Sequence, residues 1–151
     1  MLVILGLATG LVVLNLPTRA PALESQLKQV SAQLNIAARN SQIDGRVRGL
    51  DITPDGYEFF DYDADWTGTG AQAWPDDMRS VKLDVDGTAV DFKARETALE
   101  AAEKKGLSRS PLIVFDPTEG VTPFEMELQS RGGEYILASD ARGRIVMQAA
   151  P

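Results

Sequence analysis

Two hydrophobic rhythms divide the chain. Met1 to Leu16 reads MLVILGLATGLVVLNL, where Thr9 and Asn15 are the polar positions and no charge precedes Arg19. A helix that is apolar on every side suits lipid or the centre of a bundle better than a globular surface. At 1.5 Å per residue the run spans roughly 24 Å, a little short of the roughly 30 Å of a bilayer core. Pro17 and Pro21 bracket a polar break, and from Ala22 to Asp44 the rhythm changes. Leu23, Leu27, Val30, Leu34 and Ala37 then recur at alternating intervals of four and three, which places them on one face of an amphipathic helix. Glu24 and Lys28 form a favourably ordered i,i+4 pair on another face.

Beyond Asp44 the period shortens to two, the mark of strands with one buried face. Arg46–Thr53 and Tyr57–Tyr62 read as strands joined by Pro54-Asp55-Gly56. Asp61–Asp77 is polar, contains Gly68 and Gly70, and reads as a loop. Val81, Leu83 and Val85 alternate with Lys82, Asp84 and Asp86. Asp86-Gly87 is a hairpin turn, with Val90 and Phe92 on the return strand. Ala94–Lys105 has the composition of a short helix capped by Gly106, and equally of a solvated insert. Leu112–Phe115 with Val121–Gln129, and Glu134–Ala138 with Arg144–Gln148, read as two further hairpins. The expected fold class is therefore α+β: a long N-terminal helix, first apolar and then amphipathic, followed by an antiparallel β-rich head. The expected division is 1–21, 22–44 and 45–151.

Composition removes several functions. There is no cysteine and no histidine, so thiol chemistry and zinc sites built on these residues are excluded, as is the usual acid–base group near neutral pH. A net charge of -7 disfavours a phosphate-rich partner, so no nucleic acid is expected. The candidate chemistry is thin. Asp61, Asp63 and Asp65 have the spacing that opens a calcium loop, but the sixth and twelfth positions hold Trp66 and Gln72 instead of glycine and glutamate. Asp76-Asp77 and Asp84/Asp86 read as carboxylates on outer strand faces. Ser108 and Ser110 lack a histidine partner and a nucleophile elbow, and Gly68-Thr69-Gly70 lacks the spacing and lysine of a phosphate loop. Trp66 and Trp74 either fold onto the sheet or mark a partner surface. No catalytic residue, metal ligand or cofactor is expected, and the chain does not read as an enzyme.

An apolar helix that leads through a proline into an amphipathic helix resembles the N-terminus of type IV pilins and of the pseudopilins of type II secretion. Met1-Leu2-Val3-Ile4-Leu5-Gly6-Leu7 resembles the run that follows the glutamate of that family, and Pro17 falls where the family's kink belongs. Ser110–Phe115 and Val121–Leu128, with Thr122-Pro123-Phe124 at their centre, resemble the C-terminal half of the minor pseudopilins called protein H. Gly45–Leu50 and Pro54–Phe59 resemble the same family's first hairpin; Asp61–Trp74 and Lys93–Arg109 fit it poorly. The family's basic leader, cleavage glycine, methylated phenylalanine and glutamate are absent here. The resemblance therefore implies either a reading frame that extends upstream of an internal methionine or a shortened chain; about six more helical residues would bring the span to roughly 33 Å.

What the resemblance implies is a filament subunit. It would sit in the inner membrane with a single pass and its head in the periplasm, helping to export folded proteins across the outer membrane. Its partners would be other major and minor pseudopilins and an inner-membrane assembly platform. Leu2, Ile4, Leu5, Leu7, Leu11, Val12 and Leu14 would form the membrane and filament helix. Leu23, Leu27, Val30 and Leu34 would pack on the head and also reach other subunits. Leu50, Ile52, Val81, Leu83, Val85 and Phe124 would supply the head's surface beneath them. Two alternatives stay open: a minor type IV pilin serving adhesion or DNA uptake, and a membrane-tethered periplasmic binding domain that does not polymerise.

Overall fold

The computed structural model describes residues 22–150. The membrane-helix positions Leu2 to Leu14 and the kink at Pro17 lie outside that range. Among the described residues no helix is long and apolar enough to cross a membrane.

Helix α1 runs from Ala22 to Asp44. Its C-terminus closes on Gly45, whose left-handed φ of 69° lets its N–H reach the Ser41 carbonyl at 3.0 Å, the glycine ending common to helices. Ten strands follow in two five-stranded antiparallel sheets. The first has the order β3-β2-β1-β6-β7 and the second β10-β9-β8-β4-β5. The first sheet comprises β1 (Arg48–Ile52), β2 (Gly56–Asp63), β3 (Asp65–Ala73), β6 (Ile113–Asp116) and β7 (Gly120–Val121). The second comprises β4 (Met78–Val85), β5 (Thr88–Ala89), β8 (Phe124–Ser130), β9 (Gly133–Ser139) and β10 (Ile145–Ala149). Helix α2, Phe92–Lys104, links β5 of one sheet to β6 of the other.

Helix α1 lies across both sheets, touching β1 and β6 of the first and β9 and β10 of the second. Leu23, Leu27, Val30 and Leu34 are fully buried in one core with Leu50, Ile52, Ile113, Phe115, Met126, Leu128 and Leu137. Burying a side chain of that size is worth about 1.5–3 kcal/mol, so the stripe is the main bond between helix and head. Leu83 and Phe124 are also buried, whereas Val81 and Val85 are half-buried at the margin. Trp74 folds onto this core: it is buried, 5.0 Å from the Tyr57 ring, and its indole N–H donates to the Thr53 carbonyl at 3.0 Å.

Three sequence expectations need correction. Asp61–Asp77 is not a loop. It contains the end of β2 and the whole of β3, paired from Gly56↔Ala73 to Asp63↔Asp65 with Ala64 at the tip in left-handed φ. Almost every β3 side chain is exposed, so the apolar alternation that signals a strand is absent; pairing with β2 makes it one. Val90 still bonds β4, its N–H donating to the Leu83 carbonyl at 2.8 Å, but Phe92 does not continue the return strand. β5 ends at Ala89, because the Asp91 carboxylate accepts the Ala94 N–H at 3.1 Å and starts α2. Finally, Val121–Gln129 is not one strand hairpinned to Leu112–Phe115. It breaks at Thr122-Pro123 into β7 and β8, which belong to different sheets.

The undecided stretch at Ala94–Lys105 is helical. Gly106 (φ 74°) donates to the Glu103 carbonyl at 2.9 Å and Leu107 to the Ala102 carbonyl at 3.0 Å, the paired bonds of a Schellman ending.

Candidate assembly surface

The residues that resemble the family motif form the crossover between the sheets. Thr122 is fastened to β6 of the first sheet three times. Its N–H donates to the Val114 carbonyl at 3.0 Å, its hydroxyl accepts the Val114 N–H at 3.0 Å, and the same hydroxyl donates to the Val114 carbonyl at 3.2 Å. Pro123 turns the chain, and its carbonyl accepts the Asp86 N–H at 2.9 Å. Phe124 is buried in the core, and its N–H donates to the Ser139 hydroxyl at 3.0 Å. The motif thus fixes how one sheet hands the chain to the other.

Polar side chains of α1 fasten it where leucines stop. Asn35 bonds the backbone of Ile145 on edge strand β10 in both directions, at 3.0 and 3.1 Å. Gln26 donates to the Ala73 carbonyl at the end of β3 at 2.8 Å. The buried Ser41 hydroxyl donates to the Phe115 carbonyl at 2.9 Å and sits against the carbonyl of Arg46. Glu24 and Lys28 pair at 3.2 Å, and the Tyr135 hydroxyl donates to Glu24 at 3.4 Å. Burial, with the Glu24 charge second, pushes the Tyr135 phenol above its ordinary range. At the helix end Asp44 accepts from the Arg48 guanidinium and the Arg46 N–H. These bonds, that of Arg48 foremost, lower its carboxyl to about 2.

Because the Leu23–Leu34 stripe is wholly covered by the chain's own head, it is closed to other subunits, contrary to the expectation that it also carries intermolecular contacts. The opposite face of α1 is open instead. Ile36 and Ile43, seven residues apart, are 57% and 76% exposed. Sequence periodicity passes over them because they sit singly among polar neighbours.

A second arrangement escaped sequence reading altogether. Asp51, in β1, is only 2% exposed. Strand alternation turns it to the face opposite Leu50 and Ile52. There Arg95 of α2 reaches one carboxylate oxygen at 2.8 Å, and Arg109 reaches the other through two nitrogens at 2.7 and 2.8 Å. Arg95 also donates to the Ser110 carbonyl at 2.8 Å. The partners lie 44 and 58 positions from Asp51 in sequence, so no local pattern announces them. Beside this clamp Pro111 lies on Gly49, where a Cβ would stand 2.3 Å from the proline Cγ. The return segment after α2 is thereby seated on the outer face of the first sheet.

Asp61, Asp63 and Asp65 lie at the β2–β3 tip. Asp61 faces Arg48 at 3.6 Å, and Asp65 accepts the Trp66 N–H at 2.9 Å. Among the described residues no group of three or more histidines or carboxylates is gathered for a metal ion. Trp66 is half-buried, its ring 5.0 Å from that of Tyr62.

No protein-family model matches the chain, and no curated protein does. Solved structures do. A crystal structure of the minor pseudopilin EpsH from the type II secretion system of Vibrio cholerae superposes with a TM-score of 0.64 at 15% identity, covering 86% of this chain and 94% of that one. A second structure of EpsH gives 0.56 at 14% identity, covering 85% and 96%. This chain has the pilin-like α+β fold of that minor pseudopilin: a long helix laid across two antiparallel sheets.

Proposed function

We propose that the chain is a minor pseudopilin of a type II secretion pseudopilus, a structural subunit and not an enzyme. The observation that carries this reading is the shared fold over 86% of the chain, joined to the apolar run that precedes α1 in sequence. The two parts have complementary uses. The head is a closed unit whose core is sealed by the Leu23–Leu34 stripe, while Leu2 to Leu14 are side chains that need lipid or other helices around them. In this reading the subunit is held in the inner membrane by a single pass, its head faces the periplasm, and it assembles with other pseudopilins on an inner-membrane platform to support export of folded proteins.

The test is a Leu11→Asp substitution in a strain that lacks the native copy, scored for secretion and for co-purification with the other pseudopilins. A charge among apolar helices is costly, so both are expected to be lost while the head's circular dichroism is unchanged. Normal secretion with normal co-purification would overturn the proposal.

A further inference from the structure

A groove runs along the outer face of the first sheet, under α2. It has a volume of about 510 Å³, and a second hollow of about 340 Å³ meets it at Thr53, Asp55 and Arg109 and continues toward β3. The groove exists because α2 stands off the sheet. Its inward residues Phe92, Arg95, Leu99 and Ala102 are half-buried, and none of its side chains is fully covered. Phe92 packs against the margin of the core at the start of the helix, and the Asp51 clamp ties Arg95, one turn further on, to the sheet.

The lining has a consistent chemistry. Phe92 and Leu99 give it an apolar wall. Glu96, Glu100 and Glu103, at intervals of four and three, follow one side of α2, and Asp55 faces them from the β1–β2 turn. All four carboxylates are exposed, and none has an ion-pair partner among the described residues. Arg95 and Arg109 also reach the groove, but both guanidiniums are turned onto Asp51, which leaves Lys93 as the free cation against four free anions. The two joined hollows make an elongated trough, shaped for an extended chain more than for a compact small molecule.

We propose that this trough docks an extended segment of a partner protein that alternates Lys or Arg with apolar side chains. The cationic heads would meet Glu96, Glu100, Glu103 and Asp55, and the apolar side chains would lie on Phe92 and Leu99. Such docking does not require the chain to polymerise. It would add a contact on α2, an element in the stretch that fits the sequence resemblance poorly.

The probe is a fluorescent Leu-Lys-Leu-Arg-Leu-Lys peptide, titrated by polarisation against the full chain in neutral detergent. Saturable binding is expected, weakening with added salt. A Glu96→Gln/Glu100→Gln/Glu103→Gln variant, which keeps the helix and its shape, should bind about tenfold more weakly. A Glu125→Gln/Glu134→Gln control on the second sheet should bind as the parent does. The inference is overturned if the triple variant binds normally, if the control weakens binding equally, or if a Leu-Glu-Leu-Glu-Leu-Glu peptide binds as well. Spermine binding as tightly as the peptide would also overturn it, since charge alone would then suffice. Leu99→Gln, which leaves every charge in place, should weaken the peptide and not spermine. Secretion is not the readout, so failure here leaves the assembly proposal standing.

Discussion

Asn35 on α1 and Ile145 on β10 exchange two hydrogen bonds: the asparagine amide donates to the Ile145 carbonyl at 3.1 Å, and its oxygen accepts the Ile145 N–H at 3.0 Å. One side chain thereby does for the edge of the second sheet what another strand would do, and it ties the helix to the C-terminal strand.

Asn35→Ala should therefore free the Ile145 backbone. The side chain is exposed, so water partly replaces it, and the loss should be about 1 kcal/mol. Urea unfolding measures that figure, and amide exchange at Ile145 should accelerate while that at Leu128, in mid-sheet, stays slow. An unchanged Ile145 exchange rate would refute the edge-capping role.

Asp51→Asn should cost more, about 2–3 kcal/mol, because two charge-assisted contacts are weakened at once in a nearly dry position. Arg109→Ala should cost less, since Arg95 still neutralises the carboxylate. A double-mutant cycle between Asp51 and Arg109 should return a coupling well above that of the exposed Glu24–Lys28 pair. Equal couplings would mean the clamp is no more than a surface ion pair.

Thr122→Val keeps the shape of the crossover and removes its hydroxyl. The Val114 N–H then loses its acceptor, at a cost of about 1–2 kcal/mol. Thr122→Ser retains the hydroxyl and should recover most of the stability in thermal melts. If valine and serine behave alike, the hydroxyl does not fasten the sheets.

The end of α1 should withstand mild acid. The Asp44 carboxyl lies at about 2 in the folded chain against an ordinary 3.8. A lowered folded-state value means its contribution is fully present above about pH 4 and disappears as pH falls through about 2. Carboxyl NMR should give a titration midpoint near the lower value. Asp44→Asn should narrow the stability difference from the parent as pH drops across that window; a difference constant with pH would count against the Arg48 bond as the cause.

The sequence by itself determined the parts whose signal is local. The Leu23–Leu34 stripe required an amphipathic helix because its period matches the helical turn. Leu83 in β4 and Phe124, Met126 and Leu128 in β8 alternate into the core as their pattern requires. Asp86-Gly87 adopts left-handed φ at both positions, 52° and 78°, as a tight hairpin demands. Tertiary structure decided what depends on distant neighbours. β3 is a strand because β2 lies beside it. Thr122-Pro123 is a crossover because the strands on either side pair with different sheets. Asp51 is buried because Arg95 and Arg109 arrive from α2 and its return segment. A charge tolerates burial only beside its counter-charge, and nothing near Asp51 in the chain records where that counter-charge comes from.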